Sequence, residues 1–174
     1  MFSDPVKNLK AFGLRENMII ADLGAGTGFY SIAAAQMVPH GKVYAVDVQK
    51  DYLQTISNKA KADRLDNLEI LCGNVEKTHG THIGDSIVDA IIASNILFQI
   101  QNTKKFIEEI KRILKPNGKL LLIDWEQGGK IGPHKMAVVP KSDAIAMFEG
   151  GGFVFLKDID AGEHHYGMIL QVAP

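Results

Sequence analysis

A ten-residue stretch near the N-terminus, residues 19–28, restricts the possible fold more than any other part of the sequence. An apolar run ends in Asp22, glycines follow at positions 24, 26 and 28, and an apolar helical pattern begins with Phe29. This order is typical of a buried strand, a tight turn and the start of a helix. Glycines allow positive φ and let a ligand lie against the backbone, while a helix N-terminus carries a partial positive charge. We therefore expect the turn to hold a polar or anionic group, and Asp22 to hold a cationic one nearby.

Helical and strand patterns alternate along the rest of the chain, and most of the strands are continuous apolar runs. Such runs favour a parallel sheet that is covered by helices on both faces. A short loop separates the last two strands and predicts a hairpin, so that the final strand runs antiparallel. The sequence therefore predicts an α/β fold with a doubly wound, mostly parallel seven-stranded sheet. The predicted strands are 18–23, 42–47, 68–72, 90–93, 120–123, 153–158 and 167–172, and the predicted helices are 6–12, 28–38, 103–114, 142–148 and one that begins near 51.

Length and charge limit the class of protein. The 174 residues suit one domain over 1–174, with only a short segment before the first strand. A net charge of −1 argues against a broad nucleic-acid-binding face. The single Cys72 excludes an internal disulfide framework, and the six histidines lack the spacing of a metal site. Because the sequence has neither an apolar signal core nor a membrane-length apolar run, we expect a cytoplasmic protein without a membrane partner. Homo-oligomerisation is left open.

The spacing of the three glycines distinguishes two ligand classes. A dinucleotide fingerprint would read G-x-G-x-x-G, whereas here the third glycine comes one residue early and Phe29 takes its place. The pattern D-x-G-x-G-x-G of residues 22–28 instead resembles the first motif of class I S-adenosylmethionine-dependent methyltransferases. The resemblance also rests on an acid that ends the second strand and on the segments 73–74, 89–92 and 114–120. Over about residues 16–125 the chain resembles the methyltransferase-domain type that includes quinone-biosynthesis and small-molecule enzymes.

The resemblance implies a Rossmann-like methyltransferase fold, with S-adenosylmethionine as the methyl donor and S-adenosylhomocysteine as the product. In that family the glycine turn packs against the methionine part of the cofactor, and an acid or amide after the third strand binds the adenine amino group. Asn74 supplies an amide here, and its carbonyl oxygen can accept an N–H. Asp47 ends the second strand and offers two acceptor oxygens for adjacent ribose hydroxyls. The expected cofactor-binding residues are Asp22, Gly24, Gly26, Gly28, Asp47, Val48, Asn74, Val75 and Ser94.

The implied reaction moves a methyl group from the sulfonium to a small-molecule acceptor by in-line displacement. The protein contributes mainly by aligning the two reactants, and a general base is needed only if the acceptor carries a proton at neutral pH. Candidates for that base are Asp124, which follows the fifth strand, and His164 and His165 in the hairpin loop. All three are expected at the carboxyl edge of the sheet, where a loop containing His134 would close over them.

Two other interpretations remain at this point. The first is a noncatalytic S-adenosylmethionine-binding protein or a subunit of a methyltransferase complex, which the short segment of about 17 residues before the first strand favours. With so little chain there, the substrate site must come from short loops or from a partner subunit, or it is barely formed. The second is an NAD(P)-dependent oxidoreductase, which the glycine spacing and the terminal hairpin disfavour. The sequence leaves the acceptor atom open among oxygen, nitrogen, carbon, sulfur and arsenic.

Overall fold

A computed structural model describes residues 3–128, 132–133 and 138–174 of the chain. Within these residues helices alternate with strands in the order that the sequence predicts. The strands are β1 (Ile19–Leu23), β2 (Lys42–Asp47), β3 (Leu68–Cys72), β4 (Val88–Ser94), β5 (Leu114–Trp125), β6 (Phe153–Ile159) and β7 (His165–Val172). The helices are α1 (Pro5–Phe12), α2 (Phe29–Met37), α3 (Lys50–Ala62), α4 (Thr103–Ile113) and α5 (Lys141–Gly150), with a 3₁₀ turn at Leu97–Gln99. No helix in this part of the chain has the length and apolar character needed to cross a membrane.

The seven strands form one sheet in the order β3-β2-β1-β4-β5-β7-β6. All neighbours pair in parallel except β7, which is antiparallel to both β5 and β6. The predicted α/β fold and its antiparallel final strand are thus confirmed. β7 begins two residues earlier than predicted because His165 still pairs with Trp125 at the end of β5. The chain leaves the sheet centre in opposite directions from β1 and β4, so a crevice forms where their carboxyl ends diverge.

Helices cover both faces of the sheet, which explains the continuous apolar runs. On one face, Phe106 of α4 and Phe148 of α5 lie in a large buried cluster. On the other, Leu9 of α1 and residues of α2 lie in a second cluster. The consecutive residues Ile91 and Ile92 of β4 enter opposite clusters, and both are fully buried. A strand that is buried on both faces has no position for an alternating polar residue.

The turn at residues 115–118 is the main difference from the predicted secondary structure. The sequence predicts that this turn ends a helix and that the next strand begins at Leu120, but β5 begins at Leu114, directly after α4. Leu114 pairs with Val88, and the register between β4 and β5 then shifts before Ala90. The four residues are therefore accommodated as an irregularity inside the strand pair, in the manner of a β-bulge.

A buried carboxylate on α4 holds the long connection between β3 and β4 against the sheet. Glu109 accepts hydrogen bonds from the backbone N–H groups of His79 and Thr81 and from the Thr81 hydroxyl. It also forms an ion pair with Arg112, at 2.7 Å. Burial alone would raise the pKa of Glu109, but these hydrogen bonds, led by that of Arg112, lower it to about 2. This cluster therefore attaches the connection between β3 and β4 to helix α4.

Candidate functional site

A cavity of about 490 Å³ opens at the carboxyl ends of β1, β2, β3 and β4. Its volume lies in the range of small-molecule sites, and its place at the divergence of β1 and β4 is where open α/β sheets bind ligands. Eight of the nine residues that the sequence predicts to bind cofactor line this cavity. They are Asp22, Gly24, Gly26, Asp47, Val48, Asn74, Val75 and Ser94.

The three glycines of the turn have different surroundings. A Cβ at Gly26 would meet no atom within 4 Å, so the missing side chain leaves open space on the cavity side, and φ is +53°. A Cβ at Gly24 would collide with the side chain of Ile96. A Cβ at Gly28 would lie 2.8 Å from Cγ1 of Ile56 on α3, and Gly28 is the one predicted residue outside the cavity lining. Two glycines therefore permit close packing, and Gly26 leaves room for a ligand.

Asp47 joins the end of β2 to the glycine turn. One carboxylate oxygen accepts the N–H of Gly26 at 2.9 Å, and the other accepts the N–H of Gln49 at 2.9 Å. The side chain is mostly buried, yet it lines the cavity. Since each carboxylate oxygen has two lone-pair sites, both oxygens keep the capacity to accept a further hydrogen bond from a ligand.

Asp22 is a buried acid at the base of the cavity, with only 2% of its surface exposed. Its carboxylate accepts a hydrogen bond from the Ser31 hydroxyl at 2.5 Å. Burial raises the pKa of Asp22 to about 7, and the neighbouring charge of Asp47 adds to the increase, against the opposing effect of Ser31. Near neutral pH this carboxyl is therefore close to half protonated, and a cationic group in the cavity would favour its ionised form.

The end of the cavity near β3 is apolar at its rim and polar at its wall. Val48 and Phe29 remain 58% and 55% exposed although both line the cavity, and Val75 forms a buried part of the lining. Exposed apolar side chains around a concave site are suited to an apolar ring. The Asn74 side-chain oxygen accepts the N–H of Glu76 at 2.8 Å, so the oxygen predicted to bind an adenine amino group already has one partner.

Ser3 and Tyr30 are among the lining residues that sequence analysis did not find. The Tyr30 hydroxyl is 2.8 Å from the Ser3 hydroxyl and accepts a hydrogen bond from the Asn8 side chain at 2.8 Å. Burial raises the pKa of Tyr30, while hydrogen bonds with Ser3, Asn8 and Ser94 oppose the increase. Because Ser3 and Tyr30 both line the cavity, the N-terminal segment forms part of its wall. A tyrosine in the first turn of a helix gives no local signal of this role.

The three predicted catalytic residues lie at the carboxyl edge of the sheet but outside the cavity lining. Asp124 is 1% exposed and accepts hydrogen bonds from the N–H groups of Ile96, Leu97 and Trp125 at 2.8–3.1 Å. Burial raises its pKa against these hydrogen bonds. His165 stacks on Trp125, with ring centroids 4.3 Å apart, and its Nδ1 lies 3.1 Å from the Glu163 carbonyl oxygen.

His164 is half-buried in the hairpin loop and has a backbone φ of +70°. β4 and β5 lie between β1, which leads into the glycine turn, and β7 of the hairpin, which explains why these residues share an edge with the cavity without lining it. Their catalytic role stays a prediction. His134 lies outside the described residues. Across the described ranges, no group of three or more His, Cys, Asp or Glu residues is arranged to hold a metal ion.

The sequence matches a family described as "Methyltransferase domain" over residues 14–144. It is 27% identical over 125 residues to a demethylmenaquinone methyltransferase of a Geobacillus species, covering 71% of this chain and 52% of that protein. It is 29% identical to a thiol S-methyltransferase of Mus musculus, covering 70% of this chain and 46% of that protein. The chain thus spans about half the length of the curated relatives it matches.

Solved structures extend the likeness over nearly the whole chain. A SAM-dependent methyltransferase from Aquifex aeolicus is 32% identical, with a TM-score of 0.91, and the match covers 99% of this chain and 91% of that one. The [4+2]-cyclase SpnF has a TM-score of 0.82 at 16% identity, with 98% of this chain and 80% of that one covered. The second likeness is one of fold alone. The same architecture therefore occurs with more than one chemistry.

Proposed function

We propose that this chain, which belongs to the methyltransferase domain family, binds S-adenosylmethionine and transfers its methyl group to a small molecule. The observation that carries the proposal is the cavity at the glycine turn, where Gly26 leaves open space and Asp47 binds its N–H. The likeness to the Aquifex aeolicus enzyme over nearly the whole chain supports it further. The residues that line the cavity are chemically suited to the methionine, ribose and adenine parts of this cofactor.

Each part of the cofactor has a chemically suitable place along the cavity. Asp22, whose ionised form a cation favours, suits the ammonium of the methionine part, next to the glycine turn. The Asp47 oxygens suit the ribose hydroxyls, because both keep acceptor capacity. Val48 and Val75 offer apolar contact to the adenine ring, beside Asn74. Ser94 lies on the remaining wall, after β4.

The protein's contribution to the reaction is alignment. A bound cofactor would supply a methyl group on a sulfonium. The C–S electron pair would stay on sulfur, and the acceptor's own electron pair would form the new bond to the methyl carbon. Holding the acceptor in line with that bond can supply about 7–11 kcal/mol of the barrier. Any proton released by the acceptor passes to solvent or to a base. The turn after β4, which Asp124 holds by two N–H groups, forms the wall against which an acceptor would be held.

The named relatives suggest two acceptor classes, namely a quinone precursor and a thiol. We propose a small-molecule acceptor and leave its atom open. We also propose a cytoplasmic location, which the exposed and unpaired Cys72 supports, because free exposed thiols suit a reducing compartment.

Thermal unfolding with candidate cofactors tests the proposal directly. S-adenosylmethionine or S-adenosylhomocysteine should raise the melting temperature, as any ligand of the native state does, and NAD should leave it unchanged. A shift with NAD alone would favour an oxidoreductase. Incubation with methyl-labelled cofactor and a cell extract, followed by mass spectrometry, should then reveal the labelled product. Cofactor binding with no labelled product from any extract would favour the noncatalytic alternative.

A further inference from the structure

Asn95, which directly follows β4, has an unusual backbone conformation in the cavity wall. Its φ is +54°, in the left-handed region that non-glycine residues seldom adopt. Its N–H donates to the Ile123 carbonyl oxygen at 2.8 Å, and the next two N–H groups donate to Asp124. The backbone on both sides of the Asn95 side chain is thus fixed by β5. This conformation holds the side chain at one place in the wall.

The Asn95 side-chain oxygen is an unpaired hydrogen-bond acceptor among the described residues. It is shielded from solvent and accepts no hydrogen bond from any of them. Leaving a buried acceptor unsatisfied is energetically unfavourable, so buried amides normally have partners. Backbone conformations of this type, combined with unpaired polar groups, tend to occur at functional sites. A donor on a ligand would satisfy the oxygen.

The position of Asn95 in the strand order indicates which ligand supplies that donor. In the proposed binding mode the adenine, ribose and methionine parts lie at the ends of β3, β2 and β1 in turn. Asn95 lies after β4, beside the strand that holds the methionine part. The sulfur of that part carries the methyl group, so an acceptor that reaches the methyl from this side would pass along the wall that contains Asn95. Ile96 and Ile100 also line this wall, so it offers an apolar surface beside one amide.

We propose that the Asn95 amide oxygen accepts a hydrogen bond from an O–H or N–H of the methyl acceptor, and that Asn95 thereby selects acceptors. The inference rests on the proposed function, since it needs the cofactor in the cavity. The terminal torsion of asparagine is broad, so the oxygen can turn toward a donor without moving the backbone. The acceptor class is then an apolar body that carries a hydroxyl or amine.

Binding of phenol and toluene to the S-adenosylhomocysteine complex tests this inference, because the two probes have the same ring but only phenol has a donor. We expect the wild-type complex to bind phenol at least fivefold more tightly than toluene in calorimetry. Asn95→Gly should abolish this preference, since glycine accepts the same φ without the amide. The matched control is Asn117→Gly, which makes the same change at a φ of +61° outside the cavity lining and should keep the preference.

Three results would overturn the inference. One is a phenol preference that survives in Asn95→Gly, and another is the absence of any preference in the wild-type complex. The third is a tenfold loss of S-adenosylhomocysteine affinity in Asn95→Gly but not in Asn117→Gly, because Asn95 would then contact the cofactor instead. Failure of the proposed function is distinct from all three. It would appear as a wild-type protein whose melting temperature does not respond to S-adenosylhomocysteine at all, and the inference would fall with it.

Discussion

Asp47 has a structural role in the isolated protein beside the ribose contact that we propose for it. Its two oxygens hold the N–H groups of Gly26 and Gln49, so an alanine substitution would loosen the glycine turn as well as remove a ligand contact. Asp47→Asn keeps the size of the side chain and one acceptor oxygen but removes the charge. Hydrogen bonds to charged groups contribute about 1.5–3 kcal/mol each, so we expect calorimetry to show at least a tenfold loss of cofactor affinity.

The matched control for this variant is Asp51→Asn, which removes the same charge from the exposed first turn of α3. It should leave the cofactor affinity within about twofold of wild type. Unchanged affinity in Asp47→Asn would mean that the ribose contact is assigned to the wrong residue.

Asp22 makes the stability of the free protein depend on pH in an unusual direction. Its pKa is about 7 in the native state, whereas an unperturbed Asp has a pKa near 3.9. The stability associated with its protonated form is fully present below about pH 4 and is lost as the pH rises through 7. Asp22→Asn has no charge to bury, so its melting temperature should exceed that of wild type at pH 8 by more than at pH 5. Parallel pH profiles for the two proteins would contradict this expectation.

The same ionisation should govern cofactor binding. A bound ammonium favours the charged form of Asp22, so the affinity of wild type for S-adenosylhomocysteine should rise between pH 6 and pH 8. In Asp22→Asn the affinity should be weaker and nearly independent of pH over that range. Calorimetry at three pH values measures both proteins. An equal pH dependence in the two would assign the titrating group elsewhere.

At the scale of single elements, α4 and the β3–β4 connection depend on Glu109. Replacing it by Gln removes the charge that pairs with Arg112, whose side chain is only 14% exposed. Breaking a buried pair costs roughly 3–5 kcal/mol, and denaturant unfolding at pH 7 should show a loss of about that size or somewhat less, because Gln keeps one acceptor. The native pKa of Glu109 is lowered to about 2. Its contribution is therefore present above about pH 4.5 and declines as the pH falls toward 2.

The difference between wild type and Glu109→Gln should accordingly shrink to less than half at pH 3. Glu108→Gln is the control. Glu108 is the neighbour of Glu109 on α4, and its ion pair with Lys104, at 3.9 Å, is exposed. Exposed pairs of this kind contribute about 0–1 kcal/mol. If the difference in unfolding free energy between wild type and Glu109→Gln stayed constant from pH 7 to pH 3, the Glu109 charge would not be what stabilises the connection.

Local patterns predicted most of the fold, because strand and helix periodicity depend on neighbours in the chain. The apolar run before Asp22 and the glycines after it could be interpreted without distant information. What could not be predicted are contacts between residues that the sheet brings together. Asp124 binds the backbone at Ile96 and Leu97, 28 and 27 residues away in sequence, and no spacing rule connects those positions.

The glycine turn shows the same limit within a single motif. Sequence analysis treats its three glycines alike, but only Gly26 leaves open space at the cavity, while Gly28 permits the approach of Ile56 from α3. The N-terminal wall is a further example, because Ser3 meets Tyr30 only after α1 packs on α2. Packing between elements decides which of these residues line the cavity, and the local periodicity of the sequence does not predict that packing.

At the scale of the whole molecule, the strand order decides which distant residues become neighbours. Placing β7 beside β5 brings His165 onto Trp125, 40 positions earlier in the chain. The same order puts β4 and β5 between the hairpin and the glycine turn. Asp124 bridges the two regions, because it lies at the end of β5 and holds the turn that lines the cavity. One buried carboxylate thus belongs to the strand that pairs with the hairpin and also binds the backbone of the cavity wall.

The base predicted at His164 and His165 can be tested separately from the stacking of His165 on Trp125. In the double variant His164→Ala, His165→Phe, an aromatic ring remains at Trp125 but no imidazole nitrogen does. We expect cofactor affinity to change by less than about 0.5 kcal/mol, since neither residue lines the cavity. Turnover of labelled cofactor with an identified acceptor should fall on the order of 10²-fold, the scale for loss of a positioned base.

The pH dependence of the remaining turnover makes this test specific. A histidine base acts only in its neutral form, so it gives a rate that rises with pH, and this rise should vanish in the double variant. His40→Ala is the control, because His40 is exposed and precedes β2 at the opposite edge of the sheet. If the double variant instead turns over at the wild-type rate, the two histidines serve only to pack the hairpin. Asp124 would then influence catalysis through the backbone that it holds, and any proton would leave the acceptor directly to solvent.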